Sequence, residues 1–356
     1  MGEDLLNSDI ADLAKSRTEL WQELKDTTIL ITGASGFIGS HIVRLLTKLN
    51  NLYDLDIKIV AIVRDKSRFT RRFSGHGASD IRFIVQNDAT DPIKIGFEVD
   101  YCIHLASKAN PTAYVQDPVG TITTNVIGTN NILSSLLKNK SLKNIVYASS
   151  IEAYGRHDHI DAISEEIFGA IDSKQIRSCY PISKSCAENL CFSYGEQYNL
   201  PVCVARLAYI YGPGDNIDDP KVVTSFMRDV RNGNNIVLKS DGLQERTYCY
   251  INDAVVGIFL LLLRGSSGKA YNISSLNNTT TIKNIAEQII KLFGNGNQRV
   301  ETITASDSDR KQFSLNQNNI LDNSRIKDLG YAETTDLENG LINTGKYFGL
   351  ELGSTR

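Results

Sequence analysis

Near its start the chain runs Ile29-Leu30-Ile31-Thr32-Gly33-Ala34-Ser35-Gly36-Phe37-Ile38-Gly39-Ser40. The apolar run reads as a buried strand, the glycines as a turn, and the remainder as the start of a helix. Glycines also punctuate ordinary turns, but the spacing Gly-x-x-Gly-x-x-Gly has a specific use. Gly33 allows a tight turn, Gly36 lets the backbone approach a pyrophosphate, and Gly39 lets the helix pack close on the strand. The helix start then offers free N–H groups and a partial positive charge to phosphates.

Downstream, strands alternate with helices. A helix reaches about Leu49, and the strand Lys58-Ile59-Val60-Ala61-Ile62-Val63 follows. A basic loop carries Arg64, Lys66, Arg68, Arg71 and Arg72, where a solvated face is expected for the last three. Ile81–Val85 is a short strand ending at Asn87-Asp88, and Asp100–Ser107 is a strand entering a small-residue turn. A helix over 119–138 precedes the strand Asn144–Ser150. A long polar loop then leads to a helix over 180–198 and a strand over 202–206. Such alternation predicts an α/β fold: a Rossmann, doubly wound parallel sheet covered on both faces. Ligands gather at the carboxyl ends of such strands, where Gly33, Arg64, Asp88, Ala106 and Ser150 fall. After Tyr211-Gly212-Pro213-Gly214 the segments shorten. The expected organisation is a helical extension over 1–26, packed on the domain or on a second subunit and not needed by the core fold, then a dinucleotide-binding domain over 27–206, with 246–264 returning to it. A smaller α/β substrate domain takes 207–245 and 265–356.

Tyr180-Pro181-Ile182-Ser183-Lys184 places Tyr and Lys one helical turn apart on one face. A lysine beside a tyrosine is expected to lower the phenol from its ordinary value near 10, so that it serves as a base closer to neutral pH. Ser150, at a strand end, can hydrogen-bond a reacting hydroxyl. Tyr-x-x-x-Lys alone is a weak signal; joined to the glycine loop and Ser149-Ser150 it is a strong one.

With these residues the chain resembles the extended short-chain dehydrogenase/reductase family, in particular its nucleotide-sugar epimerases, dehydratases and decarboxylases. The resemblance runs from about Thr28 to Phe348. It rests on the glycine loop, His104-Leu105-Ala106-Ser107, Asn125-Val126-Ile127-Gly128-Thr129, Ser149–Gly155, Tyr180 with Lys184, Arg206 through Pro213, and Asp322–Tyr331. It implies that Tyr180 takes the proton of a sugar 4-hydroxyl positioned by Ser150, while Lys184 holds the nicotinamide ribose. It implies cofactor contacts at Gly33, Ser35, Gly36, Phe37, Ile38, Gly39, Arg64, Asp88, Ala89, Leu105, Ala106 and Ser107. It implies substrate contacts at Lys108, Ser150, Glu152, Tyr209, Lys221 and Arg246, the last holding the nucleotide diphosphate.

The reaction is less determined than the family. Sugar 4,6-dehydratases carry an acid and a glutamate after the serine; here the pair is Ile151 and Glu152, and isoleucine donates no proton. Glu152 stays a candidate base, with a capping carboxylate as its plainer role. The stretches His104–Tyr114 and Asp218–Phe226 look like UDP-glucuronate decarboxylases. Lys221 stands where they have an arginine, and Tyr209 where many members have an asparagine, and Lys and Arg are not equivalent at a carboxylate site. An epimerase or related 4-keto-sugar enzyme ranks first on this reading, with decarboxylase, dehydratase, 4-keto-sugar reductase and non-catalytic dinucleotide sensor as alternatives. The cofactor is NAD or NADP; Arg64 after the second strand leans to NADP.

Composition narrows the partners. The chain has 356 residues, 41% hydrophobic and 22% charged, with a formal net charge of -3, which gives no reason to expect nucleic acid. The longest apolar run, Ala254–Leu263, is too short to span a bilayer, and no signal-peptide pattern opens the chain. The six cysteines, at 102, 179, 186, 191, 203 and 249, are expected as small buried hydrophobes in a reducing cytosol. The histidines show no metal pattern, His157 and His159 reading as a solvated pair. These features lead to a cytoplasmic location as the expectation, and the family resemblance adds a homodimer formed through the helices near 119–138 and 180–198.

Overall fold

A computed structural model describes residues 2–73, 81–157, 162–306 and 318–353. The elements of its first half are α1 (Gly2–Ser16), α2 (Thr18–Gln22), β1 (Thr28–Thr32), α3 (Phe37–Tyr53), β2 (Lys58–Val63), α4 (Lys66–Arg72), β3 (Arg82–Val85), β4 (Tyr101–His104), α5 (Pro111–Gln116), α6 (Pro118–Leu136), β5 (Asn144–Ser150), α7 (Cys179–Tyr198) and β6 (Val202–Leu207). Then come β7 (Tyr209–Tyr211), α8 (Val222–Arg231), β8 (Ile236–Leu238), β9 (Glu245–Tyr250), α9 (Ile251–Arg264), β10 (Ala270–Ile273), β11 (Thr279–Thr281), α10 (Ile282–Phe293), β12 (Val300–Thr302), α11 (Ser324–Lys327) and α12 (Leu337–Tyr347).

Seven strands form one sheet in the order β10-β6-β5-β4-β1-β2-β3, every neighbouring pair parallel. The short runs that build it are rich in β-branched residues and buried on both faces, as a helix-covered parallel sheet requires. Register brings Thr32 beside His104, His104 beside Tyr147 and Ser150 beside Leu207. The carboxyl ends of the central strands therefore line one edge of the sheet. On one face lies α9, buried from Ile251 to Leu262, with α3; on the other lie α6 and α7. Local signals set the helix ends. Asp117 caps α6, accepting from the Gly120 N–H, with Pro118 in the first turn, and Asn199 ends α7 in the left-handed region.

Several expectations need correcting. The basic stretch after β2 is a helix, α4, because Phe69 and Phe73, one turn apart, are buried and stack at 4.2 Å. Of the two places expected for the extension over 1–26 it takes the domain, and it packs there as part of the core rather than as an addition to it. Leu6, Ile10, Leu13 and Ala14 of α1 are buried, and Trp21 meets Phe259 of α9 edge-on at 5.4 Å. Asp9 accepts from the Tyr250 hydroxyl, and Arg44 pairs with Glu3. The later boundaries also shift: β9 joins β7 and β11 in a separate three-stranded sheet, whereas β10 joins the large sheet beside β6. Thus only α9 of 246–264 packs on the large sheet, and 265–356 contributes one of its strands. Five cysteines are buried, but Cys186 is exposed, on the same turn of α7 as exposed Ser185 and Asn189. His159 lies outside the described residues. No described helix is long and apolar enough to cross a membrane, and the described residues hold no cluster of metal-ligating side chains.

Candidate active site

At the end of β1 the chain turns through Gly33 at φ 65°, which a side chain would strain, and a Cβ there would lie 2.9 Å from the Ala106 nitrogen. A Cβ on Gly39 would meet the Gly33 carbonyl. Gly36 is the extended N-cap of α3, its N–H donating to Gly33 at 2.9 Å; Ser35 is exposed, and Phe37 and Ile38 begin the helix half-buried. No side chain caps α3, and its first turn carries no acid. A bare, uncapped helix start behind close-packed glycines fits a dinucleotide pyrophosphate.

Behind the loop runs a relay of neutral hydrogen bonds. Thr32 Oγ1 accepts from the Leu105 and Ala106 N–H groups at 3.1 and 3.0 Å. Its own proton therefore goes to His104 Nδ1, 2.6 Å away, and His104 carries its proton on Nε2, facing Thr129 Oγ1 at 3.1 Å. Burial pushes His104 down to about 3, and the nearby Lys184 charge acts in the same direction, so the ring is neutral. Thr129 donates to the Asn125 carbonyl, Ser107 donates to Asn125 Oδ1 at 2.8 Å, and Asn125 Nδ2 donates to Ser183, which donates to the Tyr180 carbonyl. The glycine turn and the start of the Tyr180 helix are thus tied together.

The other proposed cofactor contacts lie along the same edge. Arg64 is exposed just beyond β2. Asp88 is exposed and accepts the N–H and hydroxyl of Thr90, both at 2.8 Å, which hold its carboxyl below the usual range. Ala89 lies against Gly128 of α6.

Tyr180 is buried at the start of α7 and stacks on Tyr114 at 4.3 Å and 15°. Here the expected downward shift fails. Burial pushes Tyr180 up to about 12, the Glu152 charge adds to this, and the Ser150, Tyr114 and Ser107 hydroxyls pull weakly the other way. Lys184 does not offset the burial. Its ammonium donates to the Ala148 carbonyl at 2.7 Å, and burial brings it down to about 7 despite nearby Glu188. Glu188, one further turn along, is held by Arg206 at 2.7 Å and by the Ser149 hydroxyl. Ser150, at the end of β5, accepts from the Glu152 N–H at 3.2 Å and starts a short turn over Ile151–Tyr154.

The residues expected to contact substrate are mostly paired charges. Glu152 is gripped by Arg177, whose Nη2 and Nη1 donate to Oε1 and Oε2 at 2.7 and 2.8 Å. Arg246 is 6% exposed and lies 5.6 Å from the centre of the Tyr209 ring, whose hydroxyl accepts from Asn319 at 2.8 Å. Lys108 pairs with Asp117 at 2.5 Å. Lys221 is placed beside the glycine loop, over the Phe37 ring at 5.6 Å. It pairs with Asp215 and Asp219 at 3.4 and 3.2 Å, and these carboxylates keep its pKa raised against the opposing effect of burial.

Sequence reasoning passed over Arg177 and Asn319, and quoted Thr32, His104, Tyr114, Asn125 and Ser183 only as parts of motifs. Arg177 stands three residues before Tyr180, but nothing in that spacing announces a partner at Glu152.

The sheet order and the glycine turn define a doubly wound dinucleotide-binding protein. The model of the NAD dependent epimerase/dehydratase family matches residues 29–274, and the chain belongs to that family. It is 31% identical over 326 residues to UDP-glucuronic acid decarboxylase 6 of Arabidopsis thaliana, covering 91% of this chain and 90% of that one. Its fold is shared with UDP-glucose 4-epimerase of Thermotoga maritima, solved with UDP-glucose, at a TM-score of 0.73 and 24% identity, covering 90% and 98% of the two chains. It is also shared with dTDP-glucose 4,6-dehydratase of Bacillus anthracis, solved with NAD, again at 0.73 and 24%, covering 91% and 96%.

Proposed function

We propose that this protein is an NAD-dependent nucleotide-sugar enzyme that oxidises the sugar of a UDP-sugar transiently at C4, and that its substrate is a UDP-uronate whose carboxylate is then lost. The observation that carries the first part is the meeting of Ser150 and Tyr180 at the sheet edge that bears the glycine loop, with Lys184 one turn further along α7. Tyr180 takes the proton of the 4-hydroxyl, Ser150 orients that hydroxyl, and Lys184, whose charged form the neighbouring Glu188 favours, supplies positive charge on the buried face of α7. Bound oxidised NAD supplies the hydride acceptor and a positive ring charge that favours ionised Tyr180. The choice of NAD over NADP follows the family description and the dehydratase complex, with Arg64 left to pack against the adenosine end.

Once C4 is a ketone, the C5 carboxylate stands β to a carbonyl. The C5–carboxylate bond breaks, carbon dioxide leaves, the electron pair passes into the enolate, C5 is protonated, and the hydride taken in the first step then returns to C4 while Tyr180 gives its proton back to the 4-oxygen. The decarboxylase relative supports this fate. Buried Ile151, 2% exposed, removes the proton donor that 4,6-elimination needs. C4 epimerisation is the second reading, favoured by the shared fold with a 4-epimerase and equally free of any need for an acid at 151. The same proposal includes a homodimer through α6 and α7, supported by Val119, 70% exposed, and by exposed Ile122 and Ile127 on α6.

The test is mass spectrometry of products after incubation with NAD and a set of UDP-, GDP-, CDP- and dTDP-sugars. A UDP-pentose formed from UDP-glucuronate without net NADH is the expected result. Epimerised UDP-hexose with untouched UDP-glucuronate would select the second reading. Stoichiometric cofactor consumption would mean a reductase, and no conversion of any sugar would end the proposal.

A further inference from the structure

The pairing of Glu152 with Arg177 bears on which chemistry this site can perform. Arg177 is 8% exposed and lies in the turn just before α7; Glu152 sits in the turn just after β5, beside Tyr180. The two elements converge so that both guanidinium Nη groups meet both carboxylate oxygens, a fork-to-fork geometry. The Arg177 guanidinium also lies 5.8 Å from the centre of the Tyr114 ring, and that ring stacks on Tyr180. Arg177 therefore touches the carboxylate on one side and the aromatic support of Tyr180 on the other.

We propose that Arg177 is a positioning residue that holds Glu152 as a fixed, ionised hydrogen-bond acceptor for a substrate hydroxyl, and so keeps Glu152 from acting as a carbon base. The proposal rests on the C4-oxidation reading above. Removing a proton from C5 would turn Glu152 neutral inside the pair and leave the buried Arg177 cation without its counter-charge, which is strongly unfavourable. Each carboxylate oxygen keeps a second lone pair, so it can still accept from a sugar hydroxyl while gripped. The consequence is specific: the original C5 hydrogen stays on its carbon through the cycle. Loss of a C5 carboxylate and inversion at C4 both satisfy that condition, whereas 4,6-elimination and C5 inversion do not.

The experiment follows the C5 hydrogen directly. UDP-sugars carrying deuterium at C5 are turned over in ordinary water, and product and recovered substrate are analysed by mass spectrometry. Full retention of the label by the wild-type enzyme is expected. Label lost in wild type and kept in Glu152→Gln would overturn the proposal, because Glu152 would then be the base. Arg177→Gln is expected to lower kcat by about 100-fold, the scale of a misplaced catalytic geometry, with NAD affinity unchanged and Arg177→Lys recovering part of the loss. Wild-type kcat and KM in Arg177→Gln would equally overturn it. The pair itself is read without turnover, from thermal midpoints of Glu152→Gln, Arg177→Gln and the double variant. Non-additive shifts are expected, and additive shifts would deny the coupling. Were no nucleotide sugar converted at all, the proposed function would fall, while this cycle would still report on the pair.

Discussion

The two halves of the site are built in different currencies. On the cofactor side, backbone turns and neutral hydrogen bonds do the positioning: Gly33 and Gly39 press the chain against itself, and Thr32, His104, Thr129 and Asn125 hand one proton donor to the next. Among the residues expected on the substrate side, full charges face one another, Glu152 with Arg177 and Lys108 with Asp117, while Lys221, paired with Asp215 and Asp219, stands at the border with the glycine loop. A neutral relay fixes geometry without placing a net charge near a pyrophosphate. Paired ions keep charge in place until a polar substrate arrives. Tyr180 sits at the seam, hydrogen-bonded through its backbone to the neutral side and facing Glu152 on the charged one.

The largest effect should come at the seam. Tyr180→Phe keeps the ring that stacks on Tyr114 and removes only the hydroxyl. Turnover should fall by about 10³-fold, within the usual range for a general base, while NAD binding and thermal midpoint stay near wild type. Steady-state kinetics beside a cofactor titration would check this. Unchanged turnover would move the acid–base role off α7 and erase the seam.

Gly39→Ala probes the neutral side by packing. Its Cβ would lie 2.9 Å from the Ala34 Cα and against the Gly33 carbonyl, both backbone and unable to swing aside. Overpacking of this kind costs about 1–3 kcal/mol, and the displaced turn should weaken NAD binding further. A thermal scan with and without NAD separates the two effects. An alanine variant that binds NAD normally would show that the loop does not need its close approach.

The two sides also differed in how plainly the sequence announced them. The glycine turn, the strand ends and the Tyr180/Lys184 pair are local patterns whose meaning survives without neighbours. Glu152 and Arg177 are separated by a loop, and Arg246 meets Asn319, which is distant in sequence, so no spacing could forecast those pairings. The Tyr180 shift was missed for a related reason. Helical spacing places Lys184 on the correct face, but the length of its side chain and the position of the Ala148 carbonyl decide where the ammonium goes. The N-terminal helices were visible as an apolar stripe, yet their partners on α3, α9 and α12 are distant in sequence.

His104 offers the smallest and most specific way to sharpen the contrast. Its folded value is about 3, well below the ordinary value of 6.5 set by the unfolded chain. Below pH 6.5 the unfolded state takes up a proton that the folded state refuses, so the stability His104 contributes is complete above that pH and drains away as pH falls toward 3. At pH 5 the loss should be about 2 kcal/mol, from roughly 1.4 kcal/mol per pH unit. His104→Gln should be less stable at pH 7 by about 1–3 kcal/mol, because one amide cannot reach both Thr32 and Thr129. Yet its thermal midpoint should fall less steeply between pH 6.5 and 5, by the share of one proton. His41, pushed down to about 4 by burial, titrates in the same direction and remains in both proteins, so the difference between the slopes isolates His104. Identical acid slopes in the two proteins would mean that His104 is already protonated in the folded state. The relay would then carry a positive charge, and the cofactor side would be no more neutral than the substrate side.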